Sequence, residues 1–536
     1  MSSEFDADVI VVGSGVCGSL VAHRLAKGGK QVILLEAGPR TPRWQIVEQF
    51  RNSANKGDPN GPYPDTHYAP KSTSAGYLTE TGGTPNQPSY VRLVGGTTWH
   101  WAGAAYRFLP NDFRMKSLYG VSRDWPVEYD ELEPWYGLAE HELGVSGPDD
   151  ADQSATGRSG PFPPRSSPYP MKPAPLPYMH QRAAEILTAG GYRVLNEPTA
   201  RNSQLYDGRP ACQGNNSCTP VCPIGALYNG SVHAYKAEQL GVQLLTESVV
   251  YRIETDSRGR ILAVRYKKPD GSDHRLTARI FVLAAYSIET PKLLLMSATT
   301  EFPNGLANRS DMVGRNLTCQ PECHQGFLGK EALWPGRGPV HPQTFFVARD
   351  GEFRKQHSGA KHVVGNNTPN AIIAGNLLKQ GVLGPKLDEM IRDQASRYIE
   401  LSSQHEYPPD PNNRVTLNRT RTDALGLPTP DIHFNRDHPY FLAGAEATRK
   451  EYERVAALFG ATPYSPLHWV HPHTQGTTIM GADPRDSVVD GHGRTHDHPN
   501  LFIVGPSVMT TTGTVNPTLT ASALALRTAD TVLHEL

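Results

Sequence analysis

Four β-branched residues, Val9-Ile10-Val11-Val12, run directly into Gly13-Ser14-Gly15-Val16-Cys17-Gly18, and a helical pattern from Ser19 to Lys27 then closes on Gly28-Gly29. A second buried strand follows at Gln31 to Glu36. Strand, glycine turn, helix and strand in this order make one β-α-β unit of the kind that binds a dinucleotide. Each glycine has a separate task there. Gly13 permits the tight turn, Gly15 lets a pyrophosphate approach the backbone, and Gly18 allows the helix to pack closely, while the helix N-terminus faces the negative charge. Glu36, at the end of the second strand, is placed to take ribose hydroxyls. The motif by itself does not separate FAD from NAD.

The rest of the chain must be built around that unit. With 536 residues it exceeds the roughly 250 to 300 at which one core stops growing, so two or more domains are expected. The formal net charge is -1, and no run of Lys or Arg is long enough to track phosphates, which argues against nucleic acid as a partner. No stretch approaches the roughly 18 apolar residues of a membrane span. The N-terminus, Met1 to Asp8, leads straight into the first strand without the pattern of a signal peptide. Strand-like runs return at Val242 to Arg252, Ile261 to Lys267 and Arg279 to Ala285, with a helix from Ile288 to Met296. A further helix is predicted near Tyr440 to Leu458, and a strand, glycine loop and helix over Asn500 to Leu536. Two stretches rich in Pro, Gly and polar residues, Thr41 to Pro88 and Gly147 to Pro177, read as a surface excursion or lid and as a surface wrap.

Three of the six cysteines fall within eleven residues, in Cys212-Gln213-Gly214-Asn215-Asn216-Ser217-Cys218-Thr219-Pro220-Val221-Cys222-Pro223. A chain this large does not depend on disulfide staples, so a metal or cluster site comes first. Gly214 and the asparagines let the backbone fold round a compact object and aim amide hydrogens at sulfur; three thiolates fit a three-iron cluster with one vacant corner. The competing readings are a structural zinc with a histidine as fourth ligand, and disulfide pairing, which would leave one cysteine of the segment over. Cys319 and Cys323 are read as buried or loosely paired thiols, with a disulfide or a fourth cluster ligand as alternatives, and Cys17 as packing.

A family resemblance enters at three places. Arg92-Leu93-Val94-Gly95-Gly96-Thr97-Thr98-Trp99-His100-Trp101 resembles the second flavin-binding motif of the glucose-methanol-choline (GMC) oxidoreductases, and Gly505 to Arg527, with Asn516-Pro517-Thr518, resembles their C-terminal motif. Cys212 to Gly225, with Arg201-Asn202-Ser203 and Tyr206 to Pro210, is similar to the large subunits of bacterial FAD-dependent glucose, fructose and sorbitol dehydrogenases. The likeness spans nearly the whole chain and implies an α/β (α+β) fold in which a Rossmann-type FAD domain is interwoven with an antiparallel-sheet substrate domain. The implied boundaries are residues 1–110 for the first part of the FAD domain and 111–204 for a substrate or cap segment. Residues 205–316 would carry the iron-sulfur loop and the second FAD part, 317–478 the substrate domain, and 479–536 the last FAD part.

The resemblance also implies site residues. His473, before Gly476 to Gly481, takes the position of the catalytic histidine and Asn516 that of its partner. Such a base takes the proton of a substrate hydroxyl while hydride passes to the flavin. His100 stands where several members tether the flavin covalently; the alternative is a packed histidine near the ring. Gly95, Gly96, Thr97, Val250, Gly505 and Thr518 join Gly13, Gly15, Gly18, Glu36, His100 and Asn516 as cofactor-binding positions. Two departures stand out: His471-Pro472 where close relatives carry two asparagines, and Cys319-Gln320-Pro321 where they carry Asp-His-Pro. Both are expected near the substrate pocket.

The expected activity is oxidation of a hydroxyl of a sugar, polyol or sugar acid. Electrons would pass through a 3Fe-4S cluster at Cys212, Cys218 and Cys222 to a multihaem cytochrome c partner, with a small chaperone-like subunit in the complex. The relatives imply the periplasmic face of the membrane, reached through an exported partner, with a cytoplasmic location as the alternative. The rival readings are a pyranose-oxidase-like enzyme that uses oxygen and keeps a structural cysteine loop, and a non-catalytic assembly subunit.

Overall fold

Seven strands from three separate stretches of chain build the sheet on which the glycine turn rests. In the computed structural model, which describes residues 5–148, 163–347 and 349–536, Ala7–Val12 lies between Val32–Leu35 and Asp273–Leu283, parallel to both. Gln243–Leu245 extends the parallel sheet beyond Val32–Leu35. Besides Ala7–Val12, Asp273–Leu283 serves two further partners in turn. Its first half pairs antiparallel with Ile261–Lys267, and its second half runs parallel to Leu501–Ile503. Parallel strands are covered on both faces, which is why Val9 to Val12 and Val32 to Leu35 read as unbroken apolar runs rather than alternations. The helices Val16–Lys27, Ser231–Gln239 and Thr518–Glu535 pack together.

The second sheet is antiparallel, in the order Thr462–Pro463, Glu322–Leu328, Tyr398–His405, Ala360–Gly365, Gln343–Phe346 and Arg193–Asn196, with His468–Val470 also paired to Glu322–Leu328. Its strands alternate. Phe327, Ile399, Leu401, Phe345 and Val364 pack with Tyr452 and Val455 of the helix Pro439–Leu458 and with Phe459 just after it, while Glu322, His324, Glu400 and Gln404 occupy the intervening positions. Alternation of this kind buries one face against helices and leaves the other for a different use. A small third sheet joins Arg414–Thr422, Pro428–His433 and Thr79–Glu80.

Most predicted strands and helices fall within a few residues of those observed, but Val242 to Arg252 resolves into two strands, Gln243–Leu245 and Val249–Thr255, and the strand expected over Arg279 to Ala285 is the longer Asp273–Leu283. The expectation for Thr41 to Pro88 needs correction. This stretch holds a helix, Arg43–Asn52, and buries Ile46, Tyr63, Tyr68 and Tyr77, so it is an irregular but packed wall. Its aromatic residues anchor it despite the proline and glycine content. Of the expected wrap from 147 to 177, residues 149–162 lie outside the described residues, and Tyr169 and Met171 beyond them are buried.

Candidate active site

A cavity of about 1290 Å³ is bordered by both large sheets, from Val12, Leu35 and Ala284 at the ends of parallel strands to Glu322 and Glu400 on the antiparallel one. That exceeds the roughly 300 to 1,000 Å³ of an ordinary small-molecule pocket, leaving room for a dinucleotide and a second ligand. The ends of parallel strands are where α/β sheets receive nucleotides.

The glycine turn forms one wall. Gly13 has φ +103°, and a Cβ there would sit 2.6 Å from the Ala284 carbonyl oxygen; a Cβ on Gly18 would come within 1.9 Å of the Gly13 oxygen. Gly15 differs, since a Cβ there would meet no atom within 4 Å. It faces the cavity. Glu36 also borders the cavity, but its carboxylate already accepts from the Ser14 amide at 3.0 Å, the Ser14 hydroxyl at 2.6 Å and the Gly38 amide at 2.9 Å. It braces the turn, and burial pushes its pKa up against those hydrogen bonds.

Gly96 joins the second motif to the first, a Cβ on it lying 3.0 Å from the Gly15 Cα. Thr97, Val250, Gly505 and Thr518 border the cavity, whereas Gly95, in the left-handed region at φ 99°, and Gly18 stand behind the wall. His100 borders the cavity and is buried; its Nε2 has no hydrogen-bond partner, and burial takes its pKa down to about 4. An open glycine face, an unpartnered neutral imidazole and the cavity size together fit FAD.

At the other end of the cavity the structure brings together the two residues named for catalysis. The His473 Nε2 lies 3.3 Å from the Asn516 Nδ2. Behind Asn516 stands a residue that sequence reasoning missed: the Lys361 ammonium donates to the Asn516 Oδ1 at 2.6 Å and to the Glu197 Oε2 at 3.1 Å. Lys361 and Glu197 are 1 % and 0 % exposed, so they form a buried ion pair. With its oxygen held by the ammonium, the Asn516 amide turns its N–H side to His473. Burial lowers the His473 pKa to about 4, outweighing nearby Glu322, which leaves the ring neutral and able to accept a proton. His471 also borders the cavity, but its ring packs edge-on against Phe434 at 5.6 Å.

Of the two departures, His471 therefore reaches the cavity wall while Gln320 acts one step behind it. The Gln320 Nε2 donates to the carbonyls of Thr512, Gly513 and Val515 at 3.2, 2.9 and 2.7 Å, pinning the loop that delivers Asn516. Cys319 is buried among Tyr77, Tyr90 and Phe434, and Cys323 packs in a different cluster with Phe327 and Tyr452. Both are free thiols. Neither pairs with the other.

The cysteine loop touches the same cavity through Asn216, Ser217, Thr219 and Pro220. The Thr219 hydroxyl donates to the His100 carbonyl at 3.2 Å, and Cys218 and Cys222 pack with Trp101. Each of the three sulfurs accepts one hydrogen bond: Cys212 from the Gly214 amide at 3.4 Å, Cys218 from the Arg201 guanidinium at 3.3 Å, and Cys222 from the Leu227 amide at 3.5 Å. Burial raises the Cys212 pKa and Arg201 opposes the rise. The thiols do not converge as His23, Glu142 and His233 do, whose ligand atoms lie within 4.8 Å of one another; a single zinc would require such convergence.

The second sheet supplies further cavity residues, Glu322, His324, Glu400 and Gln404. Their signal in the sequence is an alternation of polar with apolar residues, but which face is wetted depends on pairing that the sequence does not display.

Comparison with known proteins identifies the architecture. Models described as GMC oxidoreductase match residues 177–322 and 409–525, and one described as an NAD(P)-binding Rossmann-like domain matches residues 11–44. The chain is 43% identical to the fructose dehydrogenase large subunit of Gluconobacter japonicus, covering 100% of this chain and 99% of that protein. It is 30% identical to the 6'''-hydroxyparomomycin C oxidase of Streptomyces lividus, covering 99% and 92%. Among solved structures, a variant of the formate oxidase of Aspergillus oryzae superposes with a TM-score of 0.68 at 15% identity, covering 99% of this chain and 98% of that one, and so shares the fold. With the glycine turn, the cavity and these matches in place, the chain belongs to the GMC oxidoreductase family, as an FAD-dependent enzyme acting on CH-OH donors.

Proposed function

We propose that this chain is the catalytic subunit of a dehydrogenase that oxidises a hydroxyl of a sugar, polyol or sugar acid and passes the electrons through an iron-sulfur cluster to a cytochrome c-type partner. The observation that carries the reading is the chain from Lys361 through Asn516 to His473, at the wall of the cavity that also holds the glycine turn. Bound FAD supplies the hydride acceptor. Gly13, Gly15, Glu36, Gly96, Thr97, Val250, Gly505, Asn516 and Thr518 would hold it, Gly18 and Gly95 would shape the wall from behind, and His100 would tether it. The unpartnered, neutral Nε2 of His100 is a nucleophilic nitrogen suited to that bond.

The protein's own residues would then act as follows. A substrate hydroxyl seated between His473 and Asn516 gives its proton to the imidazole, and the amide N–H holds its oxygen. Lys361 keeps the amide from flipping, and its fixed charge favours negative charge developing on that oxygen. Cys212, Cys218 and Cys222, each with one hydrogen-bond donor on sulfur, suit an anionic three-iron cluster, and the loop's contact with His100 and Trp101 would set such a cluster beside the flavin tether. The fructose dehydrogenase relative is named as a large subunit, which supports an assembly with further subunits; we take these to be a small chaperone-like subunit and a multihaem cytochrome c, with the complex at the periplasmic face.

The test is anaerobic reduction of the flavin by a panel of sugars, combined with low-temperature electron paramagnetic resonance of the oxidised protein. The expected result is bleaching by at least one sugar or polyol, about three irons per flavin and a paramagnetic signal, both lost in Cys218→Ser. That variant should still be bleached by substrate yet fail to reduce cytochrome c. Zinc in place of iron, or rapid peroxide formation with unchanged turnover in Cys218→Ser, would favour the oxygen-using oxidase.

A further inference from the structure

We propose that Glu322, His324, Glu400 and Gln404 form a clamp for the hydroxyls that are not oxidised, and that this clamp selects neutral sugars and polyols against sugar acids. The inference rests on the dehydrogenase reading above and deepens it.

Sheet register places the four together. Glu322 pairs with Gln404 and with Val470, His324 with Ser402 and His468, and Gly326 with Glu400. Lys361 pairs with Gln404 on the next strand. Directly paired residues share a face, so the clamp residues project from the same face as Lys361, and all four border the cavity with His473. They are linked among themselves. The His324 Nε2 lies 3.4 Å from the Glu322 Oε1 and its Nδ1 lies 3.5 Å from the Glu400 Oε1, the Gln404 amide donates to the Glu322 Oε1, and the Asn367 amide donates to the Glu400 Oε1 at 2.7 Å. In both carboxylates the bonds converge on Oε1, leaving Oε2 to accept from a ligand. Gln404 is 2 % exposed and its carbonyl oxygen has no partner.

A network serving only to stiffen the sheet would have no reason to open onto the cavity, and a buried ion pair of that kind gives little net stability. An array of acceptors at a cavity wall suits a ligand that is mainly hydroxyl donors. Its charge selects further. Glu322 and Glu400 carry two negative charges against one positive charge on His324, and Lys361 and Glu197 cancel. The imidazole is held charged because its flanking carboxylates outweigh burial and lift its pKa to about 9, while both carboxyls are held below their ordinary range. A carboxylate on the substrate would meet a net negative wall where water screens poorly.

The experiment measures flavin reduction in the holoenzyme by fructose, sorbitol and gluconate, in the wild type and in Glu322→Gln and Glu400→Gln. The expected kcat/KM for gluconate is about 100-fold below that for the better neutral substrate. Each variant should raise the neutral substrate's KM about tenfold with little change in the limiting rate, and should narrow the gap to gluconate by a similar factor. Should a variant fail to fold, the wild-type preference decides the matter. Gluconate as effective as the neutral compounds, or an unchanged KM in folded variants, would overturn the clamp and leave the dehydrogenase standing. Flavin that dithionite reduces but that no sugar, polyol or sugar acid of the wider panel reduces would overturn both readings.

Discussion

The two ends of the cavity are built by different means. The dinucleotide end is centred on backbone: one contiguous turn whose shape is forced by residues that lack a Cβ, with Gly18 and Gly13 in contact, and with Gly96, His100 and Thr518 completing the wall. The substrate end is made of side chains gathered from six segments, with Glu197, Glu322, Lys361, Glu400, His473 and Asn516 meeting only through sheet register and the C-terminal loop. A site written in consecutive residues tolerates almost no substitution, whereas a site assembled across strands can change its chemistry one side chain at a time while the scaffold stays. Within one cavity, the first end serves a fixed cofactor and the second is free to set the substrate.

The comparison breaks most sharply at His473. His473→Ala should lower the rate of flavin reduction by about 100- to 10,000-fold, the usual share of a general base, while flavin content and thermal midpoint stay near wild type. A variant that also loses its flavin would show that the two ends are not separable; near-normal reduction would move the base elsewhere, with His471 the first candidate.

Lys361→Met probes the same end from behind. Removing one partner of a buried pair leaves Glu197 charged and alone, a loss of about 3 to 5 kcal/mol, and frees the Asn516 amide to turn. Adding Glu197→Gln should return most of the stability but not the catalytic rate, because the neutral glutamine no longer needs the ammonium while Asn516 still lacks its anchor. Chemical denaturation and flavin-reduction kinetics on the two variants distinguish these effects. Equal recovery of stability and rate would reduce Lys361 to a structural ion.

How much of this was legible follows from the same contrast. Gly13, Gly15, Gly18 and Glu36 were readable because a strand, a turn and a helix follow one another without interruption. His473 and Asn516 were readable only through resemblance to relatives, since 43 residues separate them. Lys361 was not readable at all: in Ala360–Gly365 it sits beside His362, whose ring faces the opposite side of the sheet toward Ser403. Nothing local tells which of the two enters the cavity. The helix Arg43–Asn52 was hidden for another reason, its mean composition being polar with Ile46 as its one fully buried residue. Gln320 looked like a pocket residue because it replaces one in the relatives, yet it reaches three backbone carbonyls instead.

The dinucleotide end can be sharpened by contrasting two glycines. Gly15→Ala places its methyl in open space, so the apoprotein should melt as the wild type does, while FAD affinity, measured in a His100→Ala background where no tether forms, falls about 10- to 100-fold through loss of a close charge-assisted contact. Gly18→Ala drives a methyl into the Gly13 carbonyl and should lower both stability and flavin content. If Gly15→Ala binds FAD normally, the pyrophosphate does not approach that residue.

The smallest expected effect lies in pH, where two histidines of one cavity move in opposite directions. Burial takes His473 down to about 4, whereas Glu322 and Glu400 outweigh burial and lift His324 to about 9. Because a base works in its unprotonated form, the limiting rate of flavin reduction should change less than about twofold between pH 8 and 5.5, and fall only as pH approaches the lowered pKa. A step centred near the ordinary histidine value of about 6.5 would mean that the His473 ring is solvated and the cavity wetter than its walls imply. His324 has the opposite linkage. With a folded pKa above the unfolded one, its contribution to stability is fully present below about 6.5 and is lost as pH rises through about 9. Raising pH from 7 to 9.5 should therefore lower the wild-type thermal midpoint more than that of His324→Gln, in which no proton is held; parallel curves for the two proteins would mean that the imidazole is not charged between its carboxylates.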